Sequence, residues 1–74
     1  MTINELGSIL GQMYHDAPKG DTVAMIHLFG IKYATEIQTV DGSYKSIAIA
    51  AKINESYATE IGKGVRLSKY VAAK

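Results

Sequence analysis

Residues 43–64 read SYKSIAIAAKINESYATEIGKG, and the spacing of small and apolar residues in this stretch decides the fold. Ser43 is a helix N-cap residue, because its hydroxyl can accept from an early backbone N–H. A helix is predicted from about Tyr44 to Lys52, then a tight turn at Ile53-Asn54, then a second helix over about Glu55–Lys63. Two short helices that cross steeply need a small residue where they meet and apolar residues on either side of the turn. Ala48 is the small residue, Ile47 and Ala51 flank it, and Ile53 is the apolar turn residue. Asn54 caps the second helix, whose inward stripe is Ala58 and Ile61.

The upstream sequence continues the helical pattern. Thr2-Ile3-Asn4-Glu5 is a capping box, and Ile3, Leu6, Leu10, Met13 and Tyr14 follow at helical spacing. Pro18 and Gly20 close that segment. Asp21 is the expected cap of a helix from about Thr22 to Gln38, with Val23, Ile26, Gly30, Tyr33 or Ala34, and Ile37 on one face. Gly30 is the expected weak point, and a place where another helix can come close. Asp41-Gly42 is also a hairpin signal, but the alanines at 48, 50 and 51 favour helix over a pleated sheet. Gly62-Lys63-Gly64 follows a helix rather than a strand, so it reads as a helix C-terminus with left-handed glycine and not as a phosphate cradle. A short last helix is expected over 67–73, with Leu67, Tyr70 and Val71 facing the core. The fold class is therefore all-α, a small four- to five-helix domain spanning residues 1–74, with the decisive two-helix unit at 43–64.

Composition narrows the function. With 74 residues and no cysteine, the chain has neither a disulfide nor a thiolate-bound metal to support a small core. Its 47% hydrophobic content must act through packing, which makes a homodimer a candidate. The N-terminus lacks the basic and apolar regions of a signal peptide, and no stretch is apolar for the ~18–20 residues of a membrane span. A cytoplasmic location is expected. Residues 1–42 carry two lysines against five carboxylates, a net −3, whereas residues 43–74 carry six basic residues against two, a net +4. Such polarity suggests one polyanion-facing side, and a solvated mixed-charge surface is the alternative. His15 and His27 have no ligand partners at metal-site spacing, and His27, among Met25, Ile26, Leu28 and Phe29, reads as a partly buried packing residue. No nucleophile–base set stands out locally, so no enzyme, cofactor, metal or small-molecule substrate is expected. The five tyrosines could stack on single-stranded nucleic acid, but packed rings with wet hydroxyls are the plainer reading.

The 43–64 segment resembles the helix-turn-helix of bacterial DNA-binding proteins, including the phage repressor type, at Ala48, Ile53, Ala58 and Ile61. It departs at Lys52, where those proteins usually carry glycine. Lysine fits that turn without strain only if its backbone is not left-handed. More widely, LGSILGQMY, MIHLFGIKYATEI and ESYATEIGKGVRLSKYV resemble a family of short bacterial proteins described only as helix-turn-helix-like. The resemblance implies a partner, double-stranded DNA, with the second helix in the major groove. Base-facing positions would be Asn54, Glu55, Ser56, Thr59, Glu60 and Lys63, and phosphate contacts Lys45, Lys63, Arg66 and Lys69. Two glutamates on a reading helix oppose phosphate. The alternative is a protein-interaction module that keeps the framework without touching DNA, with Glu60 and Lys63 as a surface i, i+3 pair.

Overall fold

Thr2 opens the first helix as the capping box requires: its Oγ1 accepts from the Glu5 N–H at 3.1 Å, and its own N–H donates to Glu5 Oε1 at 2.9 Å. This computed structural model describes residues 1–72. Among them are five α-helices and one 3₁₀ turn: α1 (Ile3–Asp16), α2 (Thr22–Lys32), α3 (Ala34–Thr39), α4 (Tyr44–Ala50), the 3₁₀ turn Glu55–Tyr57, and α5 (Ala58–Leu67). No strand forms among the described residues, so Asp41-Gly42 is an interhelical turn.

Each helix contributes an apolar face to one core. Leu6 and Leu10 come from α1, Ile26 and Phe29 from α2, and Ala34 and Ile37 from α3. Ile47 and Ala48 come from α4, Ala51 from the turn after it, and Ile61 and Val65 from α5. Ile3, Met13, Tyr14, Ile53 and Tyr57 seal the margins, and no polar side chain among the described residues is buried. The 3.6-residue period forces this arrangement, since short helices are stabilised mainly by burying such a face. α1 lies across α4 and α2, and α5 lies chiefly against α2.

Five expectations need correction. The helix expected over 22–38 is interrupted, and at Tyr33 rather than Gly30. Tyr33 takes φ −111°, ψ 22°, outside the α-helical well, while its ring packs on Phe29 at 5.5 Å and lies under the Lys32 ammonium at 5.7 Å. Val23, expected on the buried face of that helix, is exposed. Asp21 occupies the N-cap position of α2 but makes no side-chain cap bond.

The remaining two corrections concern the C-terminal part. Gly62-Lys63-Gly64 does not end a helix, because α5 continues through it to Leu67 and neither glycine has positive φ. The reason is tertiary. A Cβ on Gly30 would lie 2.7 Å from the Ile61 carbonyl oxygen and 2.8 Å from Gly64 Cα, so α2 and α5 touch backbone to backbone at these two residues. Residues 68–70 form a turn rather than part of a further helix. Leu67, Tyr70 and Val71 face solvent, at 41%, 82% and 50% exposure, and not the core. The end of that expected segment, Ala73, lies outside the described residues.

Candidate nucleic-acid interface

The local chemistry of residues 43–67 builds a two-helix unit. Ser43 has extended backbone, and its Oγ accepts from the Ser46 N–H at 3.1 Å, which satisfies one of the orphan donors at the start of α4. The far end of α4 closes by two bonds: Ile53 N–H donates to Ala48 O at 3.2 Å, and Lys52 N–H donates to Ile49 O at 3.0 Å. This pair of bonds is a Schellman motif, with Lys52 at the position that takes left-handed backbone. Its φ is +62°, the only positive φ of a non-glycine residue described. The turn is therefore the left-handed one that glycine usually makes, here carried by an exposed lysine.

Asn54 then caps the next element, its Oδ1 accepting from the Ser56 N–H at 2.9 Å. The 3₁₀ turn leads into α5, so the second helix begins regular α geometry at Ala58, three residues later than expected, and ends at Leu67. Ile61, Gly64 and Val65 are buried, and Ala58 is half-buried. The opposite face presents Thr59, Lys63 and Arg66, all exposed, at i, i+4 and i+7 on one side of the helix. Lys69 follows in the turn after α5 and is also exposed.

Of the residues expected to read bases, Ser56, Thr59 and Lys63 are exposed and Asn54 is engaged in its cap. Both glutamates are countered by cations. Glu55 Oε1 lies 3.6 Å from Lys45 Nζ, an exposed pair of little energetic weight. Glu60 is half-buried and held from two sides, its Oε1 at 2.7 Å from His27 Nε2 and its Oε2 at 3.3 Å from Lys63 Nζ. The His27 hydrogen bond, helped by Lys63, holds this carboxyl below its ordinary value of 4.5 against the opposing effect of desolvation. Of the expected phosphate contacts, Lys45 and Lys63 thus touch carboxylates, while Arg66 and Lys69 make no ion pair among the described residues.

Sequence reasoning placed His27 as a partly buried packing residue, and it is half-buried. Its bond to Glu60 was not foreseen. The two are 33 positions apart, and no local pattern joins them. Among the described residues no group of three His, Cys, Asp or Glu side chains is arranged to hold a metal ion, and no helix is long and apolar enough to cross a membrane.

An all-α fold in which two short helices flank a left-handed turn, the second helix lying across the core, defines a small helix-turn-helix-like domain. The chain belongs to the HTH-like domain family, whose model matches residues 2–74. No curated protein and no solved structure matches it.

Proposed function

We propose that this protein is a single helical domain that binds double-stranded DNA through the unit at residues 43–64, as a small cytoplasmic bacterial regulator or accessory factor. In this reading α5 enters the major groove, Ser56, Thr59 and Lys63 approach base edges, and Arg66, Lys69 and Lys45 contact phosphates. One observation carries it. The outward face of α5 is uncovered and cationic, and each carboxylate of the reading segment already has a counter-cation, so neither meets the phosphates bare. The role is binding, with no catalytic step.

Fluorescence anisotropy of a labelled mixed-sequence duplex tests this at about 50 and 200 mM salt. Binding should weaken steeply with salt, and the triple change Lys63→Ala, Arg66→Ala, Lys69→Ala should flatten the logarithmic salt slope by roughly 2–3. An absence of binding even at about 50 mM salt refutes the proposal, since non-specific affinity is the floor for any groove binder.

A second reading is favoured by the exposed Leu67, Tyr70 and Val71, the last of which borders a groove with Ile31, Ala34 and Thr35. It is a protein-interaction module, self-association included, that leaves DNA alone. Sedimentation of the wild type and of Tyr70→Ser, Val71→Ser separates the two, because only this reading makes assembly depend on these side chains.

A further inference from the structure

Glu60 lies on α5 within one turn of Lys63, and a bare carboxylate there repels a phosphate backbone. His27 reaches it from α2 with a 2.7 Å contact between Nε2 and Oε1. The two side chains are 30% and 22% exposed, open to exchange protons with water yet sheltered from full screening. A neutral imidazole with its proton on Nε2 donates this bond without charge. Taking a second proton from solvent at Nδ1 turns the same contact into an ion pair and moves no heavy atom. The charge beside α5 then rises by one at constant geometry.

The surroundings isolate this pair. From α5, Glu60 faces the ring, with Lys63 behind it. α1 and α3, also packed on α2, bring no described carboxylate within 4 Å of the ring. Lys32 of α2 itself is directed over Tyr33. Glu60, held below the ordinary carboxylate range by its bond to His27, is the anion of the pair near neutrality.

We propose that His27 is a proton-linked control on α5: its protonation sets a second positive charge, after Lys63, against Glu60 and strengthens duplex binding. The inference rests on the DNA-binding reading above.

Calorimetric titration of the wild-type protein with a mixed-sequence duplex, in two buffers of different ionisation enthalpy at about pH 6.5, tests it. Net proton uptake on binding is expected. Affinity should be several-fold higher at about pH 5.5 than at about pH 8, with a salt slope steeper by about one. His27→Gln, which can still donate to Glu60 but cannot gain charge, should lose the uptake and the pH effect while keeping its helicity by circular dichroism. His15→Gln should retain both. Uptake that persists in His27→Gln, or disappears in His15→Gln, overturns the inference, and the second result does not depend on how well His27→Gln folds. Tight binding that is independent of pH overturns this inference alone, whereas no binding at either pH overturns the DNA reading beneath it.

Discussion

Replacing Lys52 by glycine should make this protein more stable, although the change removes a whole side chain. Lys52 has φ +62° and is exposed, and it makes no ion pair or side-chain hydrogen bond among the described residues. Its Cβ crowds the adjoining carbonyl in left-handed backbone, at a cost of about 1–2 kcal/mol. Glycine removes that cost but loses more chain entropy on folding, about 0.5–1 kcal/mol. The difference favours Lys52→Gly by roughly 0.5–1 kcal/mol, which in a domain this small raises Tm by about 2–8 °C. Lys52→Ala keeps the Cβ and should gain little. Thermal unfolding followed by circular dichroism compares the three proteins. If glycine and alanine give the same Tm, or glycine lowers it, the strain argument is wrong and the lysine must be held by something its contacts do not reveal.

Three further outcomes follow from the helix packing and the ion pairs. Gly64→Ala places a Cβ in collision with the His27 carbonyl oxygen and 2.9 Å from Gly30 Cα, and should cost about 1–3 kcal/mol or more by chemical denaturation. Gly62→Ala, two residues away, meets only the Tyr44 ring at 3.0 Å, an exposed side chain that can swing aside, so the helix-propensity gain of up to ~1 kcal/mol should leave it at least as stable as wild type. For pH, the Glu60 carboxyl is held below its ordinary value mainly by the bond to His27, so its contribution is present above the unfolded carboxylate range and lost as pH falls through the folded value. Glu60→Gln should therefore be less stable than wild type near neutrality, with the difference shrinking below about pH 4 in an acid-unfolding series.

Much of the fold is legible because its signals are local. The Thr2–Glu5 box, the Ser43 cap and the Asn54 cap each depend on side chains that reach two or three residues along the chain, and all three form. The buried set Ile47, Ala48, Ala51 and Ile61 follows from helical period alone. Apart from the Asp21 cap, a local signal that does not form, the main misread features depend on partners distant in sequence. Glycine at 62 and 64 signals a helix end by intrinsic propensity, but α2 needs a bare backbone at 64 and so keeps the helix intact through both. The interruption at Tyr33 lies between Phe29 and Ile37, both of which remain buried, a result of packing that a repeating apolar face does not reveal. Leu67, Tyr70 and Val71 looked inward because they are apolar, yet the core is complete without them. At the candidate site the cationic side of α5 could be read from spacing, whereas the hydrogen bond that holds Glu60 comes from a residue on another helix.

The contact between Gly30 and Gly64 has a mechanical consequence for any ligand on α5. Most helix crossings are cushioned by side chains, which can change rotamer and let one helix roll or slide by small amounts. Here two main chains bear directly on each other, with no rotamer available to absorb displacement. A push on the outward face of α5 is therefore passed to α2 with little loss, and α2 carries His27. The bearing angle of α5 on α2 is set by the main chains themselves.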